Sequence, residues 1–289
     1  MRRFMAIAAA VLAVAFLAPT ADAQQQQQQE PRRALTKIAG DLYRWQNNFH
    51  FGVVYVTPAG VIVGDTINAA AATWLKDEIA RQFNQPVKYV FLSHDHADHA
   101  SGAEVFAAAG ATVIAHERAR PKIASNRPSA AVPTLTFTDK MTLELGGKTV
   151  ELTHVGRNHS DNMIVARFPA EQVLFVVDFI PIKGLAFRDL GDCYYPDWLE
   201  SVRRVEAMDF QTLTPGHGPL GTKADATAFR EYLQDLEAAV RKGMADGKSV
   251  DQLKTEVALD KYKDWADYKD YLPLNVQGMH RLLSAGRPG

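Results

Sequence analysis

The run His94-Asp95-His96-Ala97-Asp98-His99 constrains this chain more than any other feature. It crowds three imidazoles and acidic side chains into six residues, directly after the strand-like run 87–92 (Val-Lys-Tyr-Val-Phe-Leu). Neutral imidazole and carboxylate are the ligands a divalent cation such as zinc takes when no thiolate is offered. The sequence holds one cysteine, Cys193, which excludes an internal disulfide and a cysteine-rich zinc site. The run therefore points to metal-assisted hydrolysis as a reaction class.

Its surroundings place it. Strands are predicted at 42–45, 53–56 and 61–63, with Pro58-Ala59-Gly60 turning between the last two. Leu75, Ile79 and Phe83 repeat every four residues and predict a helix over 71–83. Ser101 and Glu104 read as a capping box for a helix to Ala109, stopped by Gly110. The histidine run then lies in a strand-to-helix loop, where α/β folds place ligands. Further strands are predicted at 134–137, 141–145, 149–153, 163–167, 173–177 and 211–213, with a helix at 197–207. From about Ala224 the pattern is helical, over 224–246, 249–257 and 274–285. Strands before helices in two successive sets imply an α/β fold of two packed sheets with helices outside.

Composition is that of a globular protein, with 47% hydrophobic and 22% charged residues and a net charge of −1. That balance gives no general attraction to nucleic acid or anionic membrane. Arg2 and Arg3 precede an apolar run from Phe4 to Leu17, and Ala21-Asp22-Ala23 has a small-x-small pattern. Residues 1–23 read as a cleaved signal peptide, which implies a periplasmic or secreted product with no stable membrane anchor after cleavage. Residues 24–34, opening on a glutamine tract, read as a disordered linker. A core domain over 35–222 and a C-terminal helical extension over 223–289 packed on it complete the organisation. Nothing in the sequence sets an oligomeric state.

Three more residues carry weight. His159 stands in a loop between two predicted strands, and His217 is flanked by glycines after the last strand. Asp178 closes the apolar strand Leu174-Phe175-Val176-Val177, where a charge is costly unless paired or bound to a cation. Each is ordinary alone. Together with the histidine run, they can converge at the carboxyl ends of strands.

At this point the chain resembles the metallo-β-lactamase fold superfamily of metallohydrolases. His94-x-His96-x-Asp98-His99 looks like its signature loop, and His159, Asp178 and His217 appear in its order. The resemblance covers roughly residues 42–220 and implies a four-layer αβ/βα sandwich with two divalent ions at one edge. It assigns His94, His96 and His159 to the first ion and Asp98, His99 and His217 to the second, with Asp178 bridging. Asp65, closing Val61-Ile62-Val63-Gly64, would support the metal loop from behind. Five imidazoles favour zinc, and the carboxylates would also accept iron or manganese. The implied chemistry is attack of a bridging hydroxide on a carbonyl, with Asp98 as the catalytic proton handler.

The substrate is a small molecule whose class is less constrained. His159-Ser160-Asp161-Asn162 and the segment Lys183 with Leu190-Gly191-Asp192 resemble one dizinc β-lactamase subclass. On that basis Asn162 and Lys183 are candidate substrate contacts, with Phe49 and Phe51 as pocket walls. Asp178, where that subclass has cysteine, is instead the pattern of glyoxalase-II-like thioesterases and lactonases. Asp189 adds a negative charge where a substrate carboxylate would dock. The reading is an exported dinuclear hydrolase of a β-lactam, lactone or ester. The alternatives are a glyoxalase-II-like thioesterase and a non-catalytic periplasmic metal-binding or sensing protein.

Overall fold

The computed structural model describes residues 30–126 and 131–285. The segment read as a signal peptide and the glutamine tract lie outside the described residues.

The chain opens with a meander of β1 (Arg33–Ala39), β2 (Leu42–Asn47), β3 (His50–Thr57) and β4 (Gly60–Gly64). It then alternates α1 (Ala69–Phe83), β5 (Val87–Phe91), the short helices α2 (Ala97–Ala100) and α3 (Ala103–Ala107), β6 (Thr112–His116), α4 (Ala119–Asn126) and β7 (Leu135–Phe137). These strands form one sheet in chain order, antiparallel from β1 to β4 and parallel from β4 to β7. The second sheet holds β8 (Lys140–Leu145), β9 (Lys148–His154), β10 (Ile164–Phe168), β11 (Val173–Val177) and, after α5 (Asp197–Glu206), β12 (Thr212–Pro215). Helices α6 (Lys223–Ala245), α7 (Val250–Glu256) and α8 (Tyr268–Ser284) follow.

Alternation along the strands builds the layers. Val53, Tyr55 and Ile62 of the first sheet meet Leu152, Phe168 and Phe175 of the second in a central core. Their neighbours Val54, Val61 and Val63 turn the other way, onto Leu75, Ile79 and Phe106 of α1 and α3. On the opposite face Leu174 and Val176 pack under Trp198, Phe229, Leu236 and Met279. Strands buried on both faces must be apolar at every position, and β4 and β11 are. The result is the expected helix–sheet–sheet–helix sandwich, with α6 and α8 sharing the core of the second sheet. No helix among the described residues is long and apolar enough to cross a membrane.

Three expectations need correction. Ser101 caps no helix N-terminus: α3 starts after Gly102, and no side chain caps it. The carbonyl of Ser101 instead accepts from Thr66 Oγ1, and Gly102 sits at φ +93°, breaking α2 from α3. Strand β1 starts inside the stretch read as linker, because Arg33 pairs in register with Asn47 and its Nε donates to the Asn47 side chain. Helix α8 begins before Pro273 rather than after it. Pro273 lies near its start, where the lost donor is one bond, and Tyr271 N to Asp267 O closes the turn.

Gly102 carries a testable constraint. A β-carbon there would lie 2.6 Å from the carbonyl carbon and oxygen of Asn68, which caps α1. Gly110 has the same φ but open space around it. In denaturant melts, Gly102→Ala should cost about 3 kcal/mol, from steric overlap added to backbone strain, against about 1 kcal/mol for Gly110→Ala.

Candidate metal centre

The side chains at the strand ends meet at one edge of the sandwich. Parallel pairing of β4 with β5 puts Asp65 beside Ser93. Parallel pairing of β11 with β12 puts Asp178 beside the His217 loop. His159 comes from the loop between β9 and β10. Backbone bonds fasten these ends together: Thr66 N donates to His99 O, Ile164 N to Ser93 O, and Gly216 N to Val177 O.

Two groups of donor atoms result, each with every atom within 4.8 Å of the others. One is His94, His96, His159 and Asp178, and the other is Asp98, His99, His217 and Asp178. Asp178 belongs to both. Its Oδ2 lies 3.7 Å from His94 Nε2, 3.0 Å from His99 Nε2 and 3.9 Å from His159 Nε2, while Oδ1 lies 3.5 Å from His217 Nε2. Asp98 Oδ2 is 3.6 Å from both His99 Nε2 and His217 Nε2.

The outer nitrogens of the rings decide what the inner ones can do. His99 Nδ1 donates to Asp65 Oδ2 at 2.9 Å, and His217 Nδ1 donates to the Phe49 carbonyl at 3.0 Å. His94 Nδ1 is 2.9 Å from Ser93 Oγ, which itself donates to Asp65 Oδ2. His96 reverses the pattern, its Nε2 lying 2.9 Å from Asp192 Oδ2 and its Nδ1 3.0 Å from His159 Nε2. With one ring nitrogen spent as a donor, the other presents a bare lone pair, the form a metal takes. His94 Nε2, His99 Nε2 and Asp178 Oδ1 are buried without a directed hydrogen bond among the described residues. Buried polar atoms of this kind need a partner, and a cation supplies one for all three. A β-carbon at Gly216 would intrude to 2.6 Å from Asp178 Oδ1 and 2.8 Å from the His99 ring, so only glycine leaves this cradle open. The donor set fits divalent metal ions.

Titration follows the same geometry. Burial holds His94 well below the usual imidazole range, and it lowers His159 too, so both rings are neutral and ready to ligate. Burial alone would raise Asp178, but the electrostatic influence of the imidazoles around it, His99 first, outweighs this and keeps the carboxylate far below its usual range. Burial opposes ionisation of Asp98 as well, and the imidazoles of His217 and His50 close to its carboxylate overcome it. Both carboxylates are thus anionic across the working pH range.

Asp65 is fully buried and accepts from Ser93 N, Ser93 Oγ and His99 Nδ1, so one carboxylate fixes the start and the end of the histidine loop. The residues expected at the substrate are placed differently. Asn162 is buried, and its amide is spent on the loop: Oδ1 accepts from Asp95 N, and Nδ2 donates to Asp95 Oδ1 and Asp161 Oδ1. It braces the histidine loop. Lys183 is exposed beside the C-terminal segment, its carbonyl taking the Ala266 N–H. Phe51 is half-buried with the Arg44 guanidinium 3.5 Å from its ring centre, and Arg44 also donates to the carbonyls of Pro215 and Gly218. Phe51 therefore helps fix the His217 loop. Phe49 is 82% exposed on the hairpin tip between β2 and β3, beside His217.

Two neighbours of the centre were missed in the sequence. His50 lies 3.4 Å from Asp98 and packs edge-on against His217 at 4.7 Å. Its position just past the Asn48-Phe49 turn was the available signal. Asp192, read only within a substrate-binding segment, is the partner of His96.

The profile of the metallo-beta-lactamase superfamily matches residues 50–217, more than half of the chain and nearly all of this centre. The chain belongs to that superfamily. Metallo-beta-lactamase superfamily members are metal-dependent hydrolases, and this protein is an enzyme of that kind. It is 26% identical over 254 residues to the 2,4-dinitroanisole O-demethylase subunit alpha of Nocardioides sp. (strain JS1661), covering 80% of this chain and 74% of that one. It is likewise 26% identical over 211 residues to the metallo-beta-lactamase type 2 of Elizabethkingia meningoseptica, covering 66% and 80%. The solved metallo-beta-lactamase from Pontibacter korlensis superposes with a TM-score of 0.64 at 24% identity, over 70% of this chain and 99% of that one, and shares the fold.

Asp65 is the support to test. Asp65→Asn puts an amide where three donors converge, so one of them loses its acceptor. Competition titration with a chromophoric chelator should show metal bound about 10–100-fold more weakly. The loss should fall on metal held through His99, the ring that Asp65 fixes, more than on metal held through His96 and His159.

Proposed function

We propose that this protein is an exported dinuclear metallohydrolase that opens an uncharged ester or lactone. The observation that carries the reading is Asp178, whose single buried carboxylate serves both donor groups. Zinc suits five imidazoles and two carboxylates, and iron or manganese would also be accepted. Two divalent ions in such a site supply an activated water at neutral pH and stabilise the developing oxyanion. The protein's own residues do the rest. His94, His96 and His159 would hold one ion; Asp98, His99 and His217 would hold the other. Asp98 is the group that would move a proton, since it is ionised, partly open to solvent and tied to histidines rather than to a lysine or arginine. The carboxylates Asp65 and Asp192 would keep the rings from turning.

Charge at the mouth favours an uncharged substrate. Asp189 is paired with Arg281, and the Arg188 guanidinium lies 5.0 Å over the ring of Phe187. After burial, the strongest influences on Asp98 and Asp178 come from imidazoles. A substrate carboxylate, as a β-lactam carries, would meet acidic groups without a cation held for it. The Nocardioides relative is named for an uncharged aromatic compound, in keeping with this preference. The carboxylate at position 178 also suits a thioesterase, so a glutathione thioester belongs among the test substrates. Export rests on the pattern of residues 1–23, and N-terminal sequencing of the mature protein from the producing cell should begin just after Ala23.

The test is a hydrolysis panel with the metal-loaded protein: a neutral aryl ester, a lactone, a cephalosporin and a glutathione thioester. The neutral ester and lactone should turn over fastest, and a chelator should abolish the activity. Turnover of the thioester alone would replace the reading with a thioesterase. No turnover with two ions bound would replace it with a metal-binding or sensing role. Asp98→Asn should lower kcat by at least about 100-fold while leaving the ion at His94, His96 and His159 in place. Equal loss of both would contradict the division of roles.

A further inference from the structure

The loop that carries Asp192 is fastened from one side by α8. Residues 183–190 take three turns that side chains rarely adopt, with φ of +48° at Lys183, +47° at Arg188 and +56° at Leu190. Such a backbone persists only where its surroundings over-determine it. Three residues of α8, spaced three apart and so on one face, do this. Asn275, fully buried, donates from Nδ2 to the carbonyls of Ala186 and Arg188, and its Oδ1 accepts from Tyr232. Gly278 lets the loop press against the helix, since a β-carbon there would fall 2.0 Å from the Asp189 carbonyl oxygen. Arg281 donates to the Asp189 carbonyl at 2.9 Å, the Leu190 carbonyl at 2.8 Å and the Asp189 carboxylate at 2.9 Å.

Beyond Leu190 the chain runs through Gly191, Asp192 and Cys193 to Tyr194, whose N–H donates to the Asn158 carbonyl beside His159. Asp192 thus hangs between two anchors, α8 on one side and the His159 loop on the other. Its Oδ2 meets His96 Nε2 at 2.9 Å. The orientation of the His96 ring, and with it the direction of Nδ1, depends on that contact.

We propose that Arg281 is a positioning residue for the metal centre: by clamping the carbonyls of Asp189 and Leu190 it holds Asp192 against His96 and so sets the affinity of the first ion. This rests on the proposed role of His96 as a ligand. The carbonyl bonds, rather than the ion pair, carry the effect. Asp189 and Arg281 are each more than two-fifths exposed, and an exposed pair contributes little.

The test uses the full mature chain and reads ion affinity by chelator competition, thermal stability and kcat against KM. Arg281→Ala should weaken the ion at His94, His96 and His159 about 10-fold and lower kcat, leaving the other ion nearly unchanged. Asp192→Ala should do the same, and the double variant should lose no more than Asp192→Ala alone. Asp189→Ala should change affinity by less than about 2-fold, and Arg281→Lys should recover part of the loss. A lowered melting temperature with unchanged ion affinity in Arg281→Ala would reduce α8 to a structural brace and overturn the proposal. Additive losses in the double variant would do so too. If the wild-type chain binds no ion at His96, the functional reading fails first and takes this one with it. If it binds two ions and hydrolyses nothing, only the functional reading fails, since ion affinity still tests the clamp.

Discussion

A largely buried carboxylate among five imidazoles is the constraint from which the rest of the molecule follows. Asp178 directly follows β11, a strand buried along its whole length, and its side chain is only one-tenth exposed. Ionising a carboxylate in such surroundings is costly unless positive charge and hydrogen bonds are delivered to it from fixed positions. The fold delivers them by bringing four strand ends and one inter-strand loop to a single edge. Four of the five imidazoles are then tethered by the outer nitrogen to a carboxylate, a hydroxyl or a carbonyl, and His159 meets the His96 ring. Such tethers prevent a ring from turning away to hydrogen-bond elsewhere, which keeps the inner lone pairs converging where a cation belongs.

The tethers sort the acidic residues by role. Asp65 is sealed in the protein and spends both oxygens on Ser93 and His99, so it acts only through the loop it holds. Asp98 and Asp192 are partly exposed, and each has an oxygen aimed at an imidazole. Asp178 lies between them and is common to both donor groups. Position in the hydrogen-bond network, rather than residue type, separates the supporting carboxylate from those that could face an ion.

How much of this was legible in the sequence depended on the reach of each interaction. The histidine run was legible because its ligands are neighbours on one loop, where alternate residues share a side. Asp178 was legible because a charge closing an apolar strand has few ordinary explanations. The layered fold was legible because β4 and β11 are apolar throughout and α1 is amphipathic. The partners of these residues were not. Asp192 reaches His96, and Phe49 reaches His217, only when distant loops close, and no local pattern encodes that. The bracing by Asn162 was hidden for the same reason: its amide answers to Asp95, far away in the chain. Ser101 was misread because a tertiary bond from Thr66 outweighed a local capping signal. β1, an edge strand with no run of buried residues, offered no alternation to read.

Arg44, Arg281 and Arg157 near the centre are each committed to acceptors within the protein. Arg44 holds the carbonyls of Pro215 and Gly218 beneath the His217 loop. Arg281 holds those of Asp189 and Leu190, and Arg157 is locked on Asp197. Guanidinium suits this use because its planar fork satisfies several acceptors at once and stays charged. The consequence is an edge of the sandwich whose loops are held from several directions. The C-terminal helices make this rigidity possible. Phe229, Leu236 and Met279 share one core with Leu174 and Val176 of β11, so the loop they anchor is as firmly built as the strand that presents Asp178.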